Sequence, residues 1–329
     1  MPKTAFRNYH VSAQLAGCRL AAALRQWRPE DSWSQIRRLI QHRHVQVNGN
    51  LCADEARPLK TGDVVKVWQE PVAGPARADD VRVSYLDAHL IVVEKPAGVT
   101  TLRHSEERHW SQRRRQFQPT LDEMIRQILA RKSKSDRPPS RGRRPEPPSL
   151  RAVHRLDRDT SGLMVFARTA EAERQLVRMF RKHDLHRAYL AVAHGRVEAQ
   201  TIESHLIRDR GDGLRGSTRQ AGEGQRAVTH IRPLEYLNGY TLVECRLETG
   251  RTHQIRIHLA EAGHMVCGEK VYVRPLHGKA TPDHSGAQRH ALHAAELGFV
   301  HPVTGQPLKF QMPLPDDMAR LLKRLRNTK

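Results

Sequence analysis

Two clusters in this 329-residue chain carry residue types that could do chemistry. The first is Val153-His154-Arg155-Leu156-Asp157-Arg158-Asp159-Thr160-Ser161-Gly162, just ahead of an apolar run. Asp157 and Asp159 lie two residues apart between arginines, a pattern suited to electrostatic stabilisation or covalent catalysis. From composition alone a solvated turn with Asx-type caps is the commoner origin of such a pattern, and the second cluster shifts that balance. It reads Thr249-Gly250-Arg251-Thr252-His253-Gln254-Ile255-Arg256 and opens a helix whose inner face carries Ile255 and Leu259. Arg251 then sits near the positive end of the macrodipole, which disfavours a cation by a few tenths to ~1 kcal/mol. A carboxylate partner would offset that cost, and Asp157 is the candidate. A carboxylate beside an arginine favours its charged form, as a nucleophile or charge stabiliser requires. Tyr189 alternates with Ala191 and Ala193 along one strand face; a large ring between small side chains leaves space for a flat ligand, and core packing fits the pattern equally.

Several chemistries are excluded. The chain has no P-loop, no G-x-G-x-x-G leading from a strand into a helix, no H-E-x-x-H and no G-x-S-x-G. His183-x-x-His186 and the pair His253 and His258 lack Cys or acidic partners at ligand spacing, so neither a metal nor a cofactor is expected. Cys18, Cys52, Cys245 and Cys267 lie far apart, which argues against a disulfide scaffold and for a reducing, cytoplasmic compartment. No run approaches the ~18 apolar residues of a membrane span, and the N-terminus lacks a signal-type apolar region. The 56 Lys+Arg against 35 Asp+Glu leave a formal charge of +21. Such a charge speaks of polyanionic partners, with nucleic acid first and an anionic membrane surface second. Residues 131–151 hold eight basic residues, two acids and five prolines, the composition of a disordered basic loop. That loop supplies 8 − 2 = +6 of the charge, so the folded surface must be basic as well.

The elements that would position these clusters form two domains. A small module over 15–69 begins with a helix carrying Leu20, Ala23 and Leu24, broken at Arg28-Pro29. A second helix starts near Ser32, with Ile36, Leu39 and Ile40 inward and Arg37, Arg38 and Arg43 outward. A strand at Val45–Val47, an Asn48-Gly49 hairpin signal and a strand from Val64 follow. Residues 70–79 read as a linker. A larger domain over 80–316 contains strands at Leu90-Ile-Val-Val, Gly162–Ala167, Tyr189–Ala193, 226–234 and 240–248, with a helix from Thr169. The segment near 103–149 reads as a basic, Pro-rich insertion, in which Arg113-Arg114-Arg115 beside Trp110 and Phe117 suit single-stranded or flipped-out RNA. A C-terminal helix and tail occupy 317–329. Strands dominate without a regular βαβ repeat, so the class is α+β.

The first module resembles the S-four RNA-binding domain through Arg19-Leu20, Ser34-Gln35-Ile36, Leu39-Ile40, Val45-x-Val47-Asn48-Gly49 and Gly62-Asp63. His44 stands where that family usually has Gly. The segment His154-Arg155-Leu156-Asp157-x-x-Thr160-Ser161-Gly162 resembles the signature of the RluA-type pseudouridine synthases. Supporting it in the family's order are Glu94-Lys95-Pro96-Ala97-Gly98, Arg187-Ala188-Tyr189-Leu190-Ala191 with Gly195, and Gly250-Arg251-Thr252-His253-Gln254-Ile255-Arg256-x-His258. Leu292-His293-Ala294 and His301-Pro302-x-Thr304-Gly305 follow. Glu269 departs from the usual Gly-Asp-x-x-Tyr.

This resemblance implies a synthase-type catalytic domain with a mixed, largely antiparallel central sheet. It implies isomerisation of uridine to pseudouridine in RNA, without cofactor, with large-subunit ribosomal RNA as the expected substrate. Asp157, Tyr189 and Arg251 become the catalytic set: Asp157 attacks the anomeric carbon or assists departure of the base, Arg251 pairs with Asp157, and Tyr189 packs on the base. Arg155 fills the gap left by the flipped nucleotide. His154, Lys95, Ile255 and Leu259, with Arg37, Arg38, Arg43 and Arg113 to Arg115, complete the expected substrate and RNA contacts. A monomer is expected. The alternatives are a transfer-RNA enzyme, a base-releasing glycosidase using Asp157 and Asp159, and a non-catalytic RNA-binding or ribosome-assembly factor.

Overall fold

The computed structural model describes residues 6–48, 50–69, 71, 76–103, 107, 109–135, 149–211, 213–220, 222–275 and 278–327. They divide into two units, 1–77 with 103–120 and 78–102 with 121–329.

In the first unit, β1 (Phe6–His10) precedes α1 (Leu20–Trp27), which stops ahead of Pro29 because the residue before proline is pushed out of the helical region. α2 (Trp33–Gln41) opens at a capping box in which the Ser32 hydroxyl accepts from the Gln35 backbone and the Gln35 side chain accepts from the Ser32 backbone. Two otherwise unpaired helix donors are thereby satisfied. Ile36 and Ile40 turn into a core shared with Leu20, Ala23, Leu24, Val45, Val47, Val65 and Val67, while Arg37 and Arg38 are exposed. Arg43 is half-buried and left-handed at φ 68°.

The sheet of this unit runs in the order β1-β4-β2-β3, with β2 (Val45–Val47), β3 (Asn50–Leu51) and β4 (Val64–Trp68). The hairpin after Val47 therefore joins β2 to the short β3, and β4 pairs on β2's other side. β1 lies ahead of the boundary expected at residue 15; its short, half-exposed sequence carries little apolar alternation. α3 (Gln112–Phe117) also belongs here, and the Gln118 amide donates to the Leu51 carbonyl at 2.7 Å. The first part of the expected insertion thus sits with the N-terminal unit instead of the larger domain. Residues 136–148 of the basic loop, residues 70 and 72–75 of the linker, and the side chains of Arg113 and Arg114 lie outside the described residues. Arg115 is half-buried.

In the second unit the strands are β5 (Arg82–Leu86), β6 (Leu90–Lys95), β7 (Arg151–Ala152), β8 (Ser161–Ala167), β9 (His186–His194), β10 (Gln200–Ile207), β11 (Gly216–Thr218), β12 (Gln225–Leu237), β13 (Tyr240–Leu247), β14 (Leu292–Val300) and β15 (Pro307–Gln311). They form one sheet in the order β11-β10-β12-β13-β9-β14-β8-β6-β5, with β15 on β14 and β7 on β8. Every pairing is antiparallel except β14 with β8, which makes the α+β class and the mixed, largely antiparallel sheet findings. α4 (Leu121–Ser135) follows the Thr100-Thr101 bend. α5 (Ala170–Lys182) covers β6, β8 and β14 through Ala172 and Leu176, and α6 (Gln254–Glu261) covers β10 and β12 through Ile257 and Ala260. α7 (Asp316–Asn327) buries Met318, Leu321, Leu322 and Leu325. Its apolar stripe makes the segment expected as a tail beyond 316 an integral part of this unit.

β8 is buried at all seven positions and starts where it touches β14, Ser161 opposite His293 and Gly162 opposite Ala294. Gly162 has φ +133°, and a Cβ there would lie 2.4 Å from the Ala294 carbonyl oxygen. The Ser-Gly step after the aspartate cluster is thus a steric requirement of the parallel pair. Gly162→Ala should destabilise the protein by more than ~2 kcal/mol, combining left-side backbone strain with a clash against main chain. Urea unfolding measures it, and a loss below ~0.5 kcal/mol would refute the close approach.

Candidate active site

The loop from His154 to Thr160 is held by partners from several elements. Lys95, fully buried at the end of β6, donates from Nζ to the carbonyls of Pro96, Val99 and Arg158 at 3.0, 2.7 and 2.9 Å. Burial pulls its pKa down to about 7. The Thr101 hydroxyl donates to the Leu156 carbonyl at 3.0 Å. Arg289 donates to the Asp159 carbonyl at 2.9 Å and to the Ser161 hydroxyl at 3.1 Å, and is itself gripped by Asp317 of α7. These contacts fix the backbone and leave the Asp157 side chain to face a cavity.

Asp157 Oδ2 accepts from Arg256 Nη1 at 3.0 Å. Arg256 is in turn gripped by Glu269, Nε to Oε2 at 2.6 Å and Nη2 to Oε1 at 2.8 Å, the bidentate geometry that makes an arginine–carboxylate pair strong. The Glu269 side chain is 1% exposed and that of Arg256 7%. Oε1 of Glu269 also accepts the backbone N–H groups of Lys270 and Val271, each at 2.9 Å. Burial would raise the Glu269 pKa, but the hydrogen bond and charge of Arg256 outweigh it and hold the carboxyl at about 2. Burial likewise opposes the Arg256 charge, and Glu269 with Asp157 raises its pKa nonetheless. His253 Nε2 is 3.6 Å from Asp157 Oδ1, beyond hydrogen-bond length, while its Nδ1 is 2.8 Å from the Tyr272 hydroxyl. Burial lowers the His253 pKa.

The arginine expected to pair with Asp157 was Arg251; the structure supplies Arg256. The helix starts at Gln254, with left-handed His253 as its N-cap, so Arg251 precedes it. The Gln254 side chain closes the approach, accepting from the Arg251 backbone at 3.0 Å and donating to the Val228 carbonyl at 3.0 Å. This turns the Arg251 side chain toward the Arg226 carbonyl at 3.0 Å. The demand for a carboxylate near the start of the helix is met at Arg256, by two of them. Glu269, noticed in the sequence only as a departure from a motif, and His253 were missed. The signal in the sequence was an arginine set between Ile255, Ile257 and Leu259, in a helix that the structure buries at every position from Gln254 to Ala260.

The cavity is about 520 Å³ and is lined by Asp157, Tyr189, Ile255, Leu247, Leu292 and Phe180, with Arg155, Arg181, Arg187, Arg251 and Arg256 around them. Among the described residues Asp157 is its one lining carboxylate. Tyr189 is 8% exposed, and burial raises its pKa. Arg155 is exposed. The structure thus brings Asp157, Tyr189, Arg155, Arg251, Ile255 and His154 around one space, and separates two other expected contacts, Leu259 and Lys95, from it. Leu259 is fully buried and does not line the cavity, because it lies a helical turn beyond Ile255. Lys95 is sealed in the core with its three carbonyl acceptors, so it positions the loop and does not meet RNA. His154 lines the cavity, but its Nε2 accepts the Val165 N–H at 3.1 Å and its ring stacks on Phe180. Burial, then the charge of Arg187, pulls its pKa to about 3, so it is a neutral structural acceptor. Arg37, expected on RNA, lies 3.4 Å from Glu55 in a solvent-exposed pair.

Among the described residues His194, Cys267 and Asp283 form a three-ligand group within 4.8 Å. Its atoms already bond internally: Asp283 accepts from Gly268 N and Ser285 N, His194 Nε2 lies 2.9 Å from its Oδ1, and burial pushes the Cys267 thiol up to about 12. No helix of the described residues is long and apolar enough to cross a membrane.

The sheet is that of the pseudouridine synthases. The human protein titled RNA Pseudouridylate Synthase Domain Containing 4 aligns with 74% of this chain and 92% of its own, at a TM-score of 0.56 and 23% identity, a likeness of fold. The chain belongs to the RNA pseudouridylate synthase family, which residues 89–261 match, and residues 18–65 match the S4 domain. Among its relatives are proteins named ribosomal large subunit pseudouridine synthase D. That of Nitrosomonas europaea is 35% identical over 96% of this chain and 87% of its own length, and that of Xanthomonas campestris 34% over 98% and 93%. The protein is therefore an isomerase of the pseudouridine synthase type with an RNA-binding N-terminal domain.

Glu269 yields a test. Its folded pKa of about 2 lies below the ordinary 4.5, so its stabilisation is complete above pH ~4.5 and falls away as the pH drops toward 2. Glu269→Gln should flatten that part of the acid unfolding profile, and Glu269→Ala should cost ~3–5 kcal/mol at neutral pH by leaving Arg256 half-paired in the core. A wild-type acid profile in the variant would show that Glu269 does not hold Arg256.

Proposed function

We propose that this enzyme isomerises uridine to pseudouridine in large-subunit ribosomal RNA, with Asp157 as its catalytic carboxylate. The observation that carries the reading is the Glu269–Arg256–Asp157 line, which ends in a cavity wall beside Tyr189. In the reaction the bond between the anomeric carbon and N1 of uracil breaks, the base turns, and a bond forms to its carbon five. Carbon five loses a proton and N1 gains one, so atoms and electrons balance without an added reagent. Asp157 acts at the anomeric carbon, as nucleophile or as stabiliser of its developing positive charge. Arg256 fixes the direction of the carboxylate, and a fixed charge in a partly dry site acts more strongly than one in water. The glycosidic bond is inaccessible in a stacked helix, so the nucleotide must be extruded at a cost of a few kcal/mol. Tyr189 packs on the extruded base, and exposed Arg155 props the gap that it leaves.

The relatives named as large-subunit ribosomal enzymes favour ribosomal RNA over transfer RNA. A cytoplasmic monomer acting on naked or assembling ribosomal RNA is consistent with that choice. A glycosidase would need two carboxylates facing one sugar, whereas Asp159 does not line the cavity.

The test is to incubate the full chain with large-subunit ribosomal RNA transcripts and map pseudouridine by carbodiimide-dependent reverse-transcription stops. Wild type should produce discrete stops, and Asp157→Asn should lose ~10³-fold or more in rate while still binding the RNA. Free uracil would instead mark a glycosidase, and binding without modification an assembly factor.

A further inference from the structure

Arg187 stands on β9 two residues before Tyr189, so the two side chains share one face about 6.6 Å apart, and both line the cavity. Arg187 is 9% exposed, and its Nε and Nη2 are buried with no hydrogen-bond partner. Its neighbour is the Phe180 ring, whose centroid lies 5.5 Å from the guanidinium carbon. A cation–π contact is worth roughly 0.5–2 kcal/mol, well short of what an unpaired buried charge costs. The field of Arg187 is felt around it: after burial, its charge is the next cause lowering the pKa of both His154 and His183. Beside it, the guanidinium packs against Gly250 so closely that a Cβ there would lie only 3.0 Å from Arg187 Nη1. The catalytic line does not use this arginine, and the one lining carboxylate among the described residues, Asp157, is bound to Arg256 instead.

We propose that Arg187 is a binding site for a phosphodiester of the target nucleotide, received from the cavity that it lines, so that β9 grips the substrate at two points, base on Tyr189 and phosphate on Arg187. The inference rests on the proposed function, because that reading puts a uridine in the cavity and every uridine in RNA brings a phosphate. Nη1 is not among the sealed nitrogens, so it can donate a charge-assisted hydrogen bond to a phosphate oxygen, and the anion supplies the countercharge that the fold omits. The unliganded protein therefore holds a destabilising cation that substrate neutralises.

The experiment uses the full chain as wild type, Arg187→Gln and Arg187→Lys. Thermal unfolding is followed with inorganic phosphate replacing chloride at constant ionic strength, and pseudouridine formation is followed on large-subunit ribosomal RNA transcripts. In chloride, Arg187→Gln should melt no lower than wild type. Phosphate should raise the wild-type Tm by a few degrees (about 2–4 °C), the Arg187→Lys Tm by less and the Arg187→Gln Tm not at all. On RNA, Arg187→Gln should raise KM roughly tenfold, the loss of one charge-assisted contact, and more than it lowers kcat, with Arg187→Lys recovering part. A phosphate shift equal in all three proteins, or none in wild type, overturns the inference even if pseudouridine forms. A lower Tm in chloride with collapse of kcat in Arg187→Gln overturns it in favour of a structural role. If no pseudouridine forms but the phosphate shift depends on Arg187, the anion site stands and the proposed function fails.

Discussion

Arg256 is a charge taken almost completely out of water, and much of the second unit is arranged so that it can stay there. Two carboxylates from distant parts of the chain meet it, one sealed and bidentate, the other half-open. The sealed pair with Glu269 fixes the plane of the guanidinium, and only then does the remaining nitrogen point at Asp157 in one direction. A lone arginine–aspartate pair at the cavity edge would be free to swing into solvent, and pairs of that kind contribute little. Burial makes the interaction expensive to form and, once formed, directional. Direction is what a reaction at one carbon of one ribose requires.

The surroundings repeat this division between support and chemistry. Lys95, Thr101 and Arg289 bond to backbone and hydroxyl groups of the aspartate loop and leave the Asp157 side chain to the cavity. His154, His258 and His290, each drawn well below an ordinary histidine by burial, serve as neutral hydrogen-bonding groups. In a basic protein these three interior histidines are thus kept uncharged by their burial.

Much of this was legible in the sequence. Short-range signals were sufficient for α1, α2, β8 and β9, where apolar spacing, the Ser32 cap and the proline stop agree, whereas it was the family resemblance that joined Asp157 and Tyr189 in one site. Missing were interactions that no local pattern encodes. Arg251 and Arg256 both stand close to the start of one helix, and the choice between them depends on where Gln254 begins it and on which side Glu269 packs. Lys95 reads as a surface cation until three carbonyls close around it. β1 and β3 are too short to carry periodicity, and their place in the sheet is set by β4 and β2.

The separation in sequence between Asp157 and its supports bears on how the protein is made. The elements assigned to the N-terminal unit are all present once residue 120 has been synthesised. Asp157 then waits 99 residues for Arg256, and the Asp159 carbonyl waits 130 for Arg289. Domains generally fold as units during synthesis, the N-terminal one first, and contacts spanning such lengths form late. Local contacts therefore suffice to complete the N-terminal unit, whereas the site that alters RNA is assembled from contacts that bridge a hundred residues or more of chain.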